Sequence, residues 1–354
     1  MKPSFQVPMH EDVRKDFLRQ SLACSALGSP FTSRVCALLA ERLTDESAFG
    51  SRILNWPGRS ERDALPLRAA GGLNALSRSG LAPALTSAYP PHEVDDETLW
   101  AAIAQAIVVH DAFLTGFLDS PPQTNEVARS GTILGGALHL AAMTKMPIDL
   151  YEIGSSAGLN LGFDRYAYDL GEGRAWGSDA EGVHIEQIWS GSCPPLDAPL
   201  TINARHACDQ NPLDPSADET RERLLSYVWP DQTARKARLA AALESIARSG
   251  FRVETADAAD WVERHFAAPG TKGVVKLLLH TIVWQYLPPD VARRIKLAME
   301  VAGTAATADA PVAWLRAEPD ETLGTAAVKL TLWPTGETRL LGRADFHGRF
   351  TRWA

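Results

Sequence analysis

Cysteine is scarce: the 354 residues contain four, Cys24, Cys36, Cys193 and Cys208, with no C-x-x-C pair and no histidine at metal-ligand spacing. No disulfide scaffold and no metal centre is expected, and a reduced compartment, the cytoplasm, is the simplest reading. An excess of positive charge is also missing. The chain has 35 Lys+Arg against 43 Asp+Glu, a net charge of -8, so it lacks the basic surplus with which duplex-binding proteins neutralise phosphates. The most apolar stretch, residues 99–118, is interrupted by Gln105, His110, Asp111 and Thr115, and no membrane span is predicted. The first residues show no apolar signal-peptide core, and there is no internal repeat or low-complexity tract. What is present, 45% hydrophobic and 22% charged residues, is the composition of a folded globular chain long enough for about two domains.

The first 145 residues read as helices joined by Pro/Gly turns, a helical N-terminal cap domain. One helix starts at Ser29-Pro30, a capping residue followed by proline at the first helical position, with Phe31, Val35, Leu38, Leu39 and Leu43 on one face. A second starts at Asp95-Asp96 and strings Leu99, Ile103, Ile107, Leu114 and Phe117 into a stripe. His110 falls on that stripe, as a hydrogen-bonded core residue. A third runs from Thr124-Asn125 to about Lys145, and no strand is predicted before residue 147.

From residue 146 to 354 the pattern alternates. Short apolar runs at 148–153, 200–208, 251–256, 274–281, 311–317, 326–333 and 337–342 read as strands. Helical periodicity over 217–227, 233–249, 259–266 and 289–301 separates the middle ones. This predicts an α/β domain with a doubly wound, mostly parallel sheet. The last two strands have no helix between them, so an antiparallel edge strand is expected. Residues 168–199, rich in Gly, Ser, Pro and acidic residues, read as an insertion or lid.

The most informative stretch is 150–161, LYEIGSSAGLNL. A strand stops at Gly154, small residues follow, and a helix is predicted to open after Gly158. Small residues let backbone amides approach a ligand, although a tight turn with no ligand uses the same residues. Residues 154–158 also match the G-x-S-x-G elbow of serine hydrolases, with Ser156 as nucleophile and Asp320 and His347 in the right order behind it. The upstream residues, helical where that fold needs strands, argue against this. The dinucleotide fingerprint G-x-G-x-x-G fails at its second glycine.

A third reading reaches further along the chain. Glu152 to Gly158 resembles the first motif of class I S-adenosylmethionine-dependent methyltransferases, an acidic residue then G-x-G-x-G, with Ser156 at the middle glycine. Downstream, Asp209 is similar to the acidic residue ending that family's second strand, and Asp257-Ala258 to the turn after its third. Residues 278–288 are similar to the fourth strand end. The resemblance implies a Rossmann-like fold and S-adenosylmethionine as cofactor. It also implies that Asp209 holds the ribose diol, Asp257 the adenine amino group and the Ala258 amide the ring. Glu152, Gly154, Ser156, Gly158 and Asn160 would shape the turn around the ligand. Asn125 and Arg129 would lie at its amino-acid end, with the Arg129 guanidinium suited to a carboxylate. His280, at the strand end facing substrate, is the candidate general base. The distance from Glu152 to Asp209, 57 positions against about two dozen in that family, must be absorbed by the insertion.

The whole chain also resembles a bacterial family known as a domain of unknown function. The residues that carry this are 28–31 (GSPF), 123–130 (QTNEVARS), 155–161 (SSAGLNL) with Asp164-Arg165-Tyr166, and 228–230 (VWP). The acidic balance favours a small-molecule acceptor over nucleic acid. A non-catalytic, metabolite- or partner-binding descendant of the fold is the alternative.

Overall fold

The computed structural model describes residues 10–123 and 125–354. The expected helix start at Thr124 and the N-terminal segment therefore lie outside the described residues. The chain divides into two compact units, Met1–Thr124 with Arg221–Ala237, and Asn125–Thr220 with Arg238–Ala354.

The first unit holds seven helices among its described residues: α1 (His10–Ala26), α2 (Pro30–Arg42), α3 (Ala48–Leu54), α4 (Leu65–Ser79), α5 (Pro83–Ala88), α6 (Asp96–Val109) and α7 (Asp111–Phe117). Helix α2 starts as its sequence predicts, with Pro30 in the first turn and the Ser29 side chain accepting from the Thr32 amide. A residue from far along the chain completes this cap. Asp231 accepts from Ser29 Oγ at 2.5 Å and from the Phe31 amide at 2.9 Å. Asn74 likewise donates to the carbonyls of Ser226 and Val228, both at 2.9 Å. The helix expected to continue past residue 109 bends instead by 92° between α6 and α7. The cause is Asp111, whose carboxylate accepts from the Ala48 and Phe49 amides at 2.8 and 2.7 Å and so caps α3. His110 sits at the break rather than on the buried stripe. No single helix among the described residues is long and apolar enough to cross a membrane.

The second unit is α/β. It contains α8 (Ser130–Thr144), β1 (Ile148–Ile153), β2 (Ala167–Asp169), β3 (Ala175–Trp176), β4 (His184–Glu186), β5 (Ile188–Gly191) and β6 (Ile202–Asp209). The unit boundaries fall inside α9 (Asp218–Ser226) and α10 (Thr233–Ser249). Then come β7 (Glu254–Thr255), α11 (Ala258–Phe266), β8 (Val275–Thr281), α12 (Pro289–Ala305), β9 (Val312–Pro319), β10 (Ala326–Trp333), β11 (Glu337–Ala344) and β12 (Phe350–Trp353).

Nine strands form one mostly parallel sheet in the order β5-β12-β11-β10-β9-β8-β1-β6-β7. Its parallel part, β7-β6-β1-β8-β9, reads 3-2-1-4-5 when those strands are counted along the chain, with β1 central between β6 and β8. Every residue of β8 is buried, as a parallel strand covered on both faces requires. Helix α8 lies close on one face because Gly135 and Gly136 leave room for the Trp353 ring and the Leu315 side chain, each of which a Cβ would strike.

The single antiparallel edge strand expected from the sequence is a larger feature. Strands β9 to β12 run as an antiparallel meander, since the links at 320–325, 334–336 and 345–349 are too short for a parallel crossover. The edge beyond it is taken by β5, parallel to β12. The 168–199 segment is thus built into the fold rather than left as a lid. Part of it forms a small sheet, β3-β2-β4. Gln187, buried, donates to the Gly348 carbonyl at 2.9 Å and accepts from Trp189 Nε1 at 2.8 Å. Asp164 forms an ion pair with Arg205 on β6 at 2.5 Å. The strand predicted at 251–256 pairs only over Glu254–Thr255, because Phe251 and Val253 pack toward Gly158 instead.

Candidate functional site

Strand β1 delivers Glu152 to its C-terminal end, and the chain then turns sharply. Gly154, Ser156 and Gly158 all take left-handed conformations, with φ of +68°, +55° and +75°. The glycines adopt these freely; Ser156, with a side chain, does so at a cost of about 1–2 kcal/mol. At Gly154 the turn also has no space for a side chain, since a Cβ would lie 2.5 Å from Val283 Cγ2 in the turn after β8. The Ser156 amide donates to Asp209 Oδ2 at 2.9 Å, and the Asn211 amide donates to Asp209 Oδ1 at the same distance. The Asp209 carboxylate, at the end of β6, is in this way fixed against the β1 turn. It keeps acceptor capacity, because a carboxylate has about four lone-pair sites.

Ser155 Oγ donates to Glu152 Oε2 at 2.6 Å. Burial pushes the Glu152 carboxyl up to about 7, with the Asp209 charge adding to the rise and Ser155 and Arg129 opposing it. The sign of the linkage follows. Between 4.5, the ordinary value, and about 7 the folded protein holds a proton that the unfolded chain releases. Stability is therefore full below that window, falls as pH rises through it and levels off above. Urea denaturation should show Glu152→Gln gaining on wild type by roughly 1–3 kcal/mol between pH 4.5 and 8. A pH-independent difference between the two proteins would rule out Glu152 as the titrating group.

The helix predicted after Gly158 is a seven-residue 3-10 segment, Leu159–Arg165. Its leading Leu159 amide is occupied by Asn125 Oδ1 at 2.9 Å. Asn160 is buried and accepts from Ser130 Oγ at 3.0 Å. Arg129 directs Nε to the Phe346 carbonyl at 2.8 Å and is close enough to Glu152 to favour its ionised form. Asp257 caps α11 by accepting from the Ala259 and Asp260 amides at 2.9 and 3.1 Å, and Ala258 is the first residue of that helix. The structure thus gathers Glu152, Gly154, Ser156 and Asp209 into one hydrogen-bonded or touching group. Asn125 and Asn160 adjoin it through the segment that follows Gly158, and Asp257 stands at the end of the neighbouring β7.

The hydrolase constellation is not assembled. Ser156 Oγ is buried and, among the described residues, has no hydrogen-bond partner. Asp320 is engaged by Arg343 Nη1 and Nη2, at 2.9 and 3.0 Å.

His280 lies at the end of β8 with 0% exposure. Its Nδ1 is 2.6 Å from Glu318 Oε1, and its ring stacks on Trp284 with centroids 5.1 Å apart. Nε2 is buried and, among the described residues, has no hydrogen-bond partner. Glu318 also accepts from the Val283 amide at 3.0 Å and the Trp284 amide at 3.2 Å. To present both amides the chain places Ile282 at φ +54°, a strained conformation for a β-branched residue. Glu318 escaped sequence reasoning. A glutamate two residues after Arg316 in an otherwise apolar strand was the one available signal. No cluster of metal-ligating side chains occurs among the described residues.

No curated protein and no solved structure matches the chain. One family does, over residues 14–353, described as "Uncharacterized protein conserved in bacteria (DUF2332)". Covering nearly the full length, from α1 through the glycine turn to β12, that match shows that the chain belongs to this bacterial family.

Proposed function

We propose that the rim formed by the ends of β1, β6 and β7 binds S-adenosylmethionine and that the protein is a methyltransferase-like enzyme acting on a small-molecule acceptor. The observation that carries this is the hydrogen bond from the Ser156 amide to Asp209. It ties a left-handed, side-chain-poor turn to the acidic end of the adjacent strand, in a parallel sheet ordered 3-2-1-4-5. Ligands bind in such sheets outside the carboxyl ends of the strands, where the strand order reverses; here that is beside β1.

The residues fit the group. Asp209 retains lone pairs for a vicinal diol, and Asp257 with the Ala258 amide offers one acceptor and one donor to a purine edge. The orphaned Ser156 Oγ is a buried polar atom awaiting a partner. Arg129, Asn125 and Asn160 are assigned to the amino-acid end. When bound, S-adenosylmethionine supplies an electrophilic methyl group. The chain's part is to hold the acceptor in line with it and exclude water. His280, oriented through Nδ1 by Glu318, leaves Nε2 as the atom to take an acceptor proton. Binding without turnover is the second reading, favoured by the full burial of His280.

Calorimetric titration with S-adenosylmethionine and S-adenosylhomocysteine tests the reading. Wild type should bind both, and Asp209→Ala should weaken binding by about tenfold or more. Absence of binding by either ligand overturns it. Binding with no methyl transfer to any of a panel of acceptors selects the second reading.

A further inference from the structure

Next to His280 on β9 lies a cation, Arg316, that no carboxylate among the described residues pairs with. Arg316 is the register partner of His280, so the two side chains leave the same face of the sheet, together with Trp314 and Glu318 two residues to either side. The Arg316 guanidinium carbon sits 4.2 Å from the centroid of the Trp314 ring. Among the described residues, the buried Arg316 Nη1 has no hydrogen-bond partner and no carboxylate pairs with it. Two further polar atoms here are orphaned, Trp314 Nε1 and His280 Nε2. Trp314 and His280 are 7% and 0% exposed, with ring centroids 5.9 Å apart. Burial draws the Arg316 guanidinium down to about 10.

A half-buried cation with an unmet Nη1, beside an unmet indole N–H, is costly without a partner. Glu318 does not pair with it; its oxygens are directed at His280 and at the Val283 and Trp284 amides. The surroundings are aromatic: the Trp284 and Trp314 rings, inclined at 56° to each other, lie 5.7 Å apart beside the imidazole. We propose that Arg316 and Trp314, beside His280, form a binding site for the carboxylate of a planar, carboxylate-bearing small molecule. One guanidinium balances one such charge through its two-pronged donor geometry. A phosphate dianion would face the Glu318 carboxylate with a single guanidinium to offset it. Gly154 packs against Val283 in the turn that Glu318 holds, so this site adjoins the glycine turn. Calling its ligand the methyl acceptor rests on the reading above; the site itself does not.

Titration calorimetry of the full chain with sodium benzoate at fixed ionic strength, with sodium phosphate as a second arm, tests the proposal. Wild type is expected to bind benzoate in preference to phosphate. Arg316→Met should weaken benzoate binding by about tenfold or more, and Arg316→Lys, which lacks the fork, should fall between. The thermal midpoint of Arg316→Met should be no lower than that of wild type, since an unpaired buried cation has been removed. No benzoate binding by wild type, equal binding by wild type and Arg316→Met, or a preference for phosphate would overturn it. Failure of the donor reading is scored separately, by the wild-type S-adenosylhomocysteine titration. Benzoate binding without it supports the anion site and withdraws only the name of methyl acceptor.

Discussion

Gly154→Val is expected to lower stability by about 2–5 kcal/mol and to abolish the S-adenosylmethionine binding proposed for the β1 turn. Two independent penalties combine. A β-branched residue at a φ of +68° is strained by about 1–2 kcal/mol. Its Cβ would also stand 2.5 Å from Val283 Cγ2, an overpacking that costs about 1–3 kcal/mol. A double-mutant cycle separates the two. In Gly154→Ala the strain and the contact are both present, whereas in Gly154→Ala with Val283→Ala the contact is relieved and the strain remains. Urea denaturation should show the pair less destabilised than the sum of the single variants, by about 1–2 kcal/mol. Strict additivity would mean that the turns after β1 and β8 do not press on each other.

The second large effect is expected at Glu318. Glu318→Ala removes the acceptor shared by His280 Nδ1 and the Val283 and Trp284 amides, leaving up to three donors unsatisfied. A cost of about 3–5 kcal/mol follows. Glu318→Gln, which keeps one carbonyl oxygen, should cost about 1–2 kcal/mol. Because the strained Ile282 conformation is held by those amide bonds, Glu318→Ala should also let residues 282–286 move, seen as faster amide exchange there than in Glu318→Gln. Equal exchange in both variants would show that something other than the carboxylate fixes the turn.

Much of the sheet was legible because its strands are short apolar runs separated by helical periodicity. Runs such as 274–281, buried on both faces, leave few alternatives. The carboxylates at strand ends could be read for the same reason, each standing where an apolar run stops. What could not be read depended on long-range partners. The bend at His110 is made by Asp111 reaching the start of α3, a bond across 62 and 63 positions. Residues 188–191 carry no strong strand pattern, and their place at the sheet edge is set by β12, more than 150 positions later. At the candidate site the same limit hid Glu318, whose meaning lies in His280 and two amides some 35 positions earlier. It also hid the loss of the Leu159 amide to Asn125. An alternation rule reports which face a side chain takes and is silent on which donor waits there.

The distant cap on α2 bears on how the chain acquires its structure during synthesis. Ser29 and Phe31 leave the ribosome about 200 residues before Asp231, the carboxylate that secures them. At about 5–20 residues per second that is on the order of ten seconds or more of translation. Through that interval the start of α2 has only the Ser29 side chain and Pro30 to hold it, and Asn74 lacks the two carbonyls to which it donates. Closing a loop of that length also carries an entropic cost that grows only slowly with length. The helical unit is therefore poised to finish late, in a step that a fragment ending before residue 221 could not take.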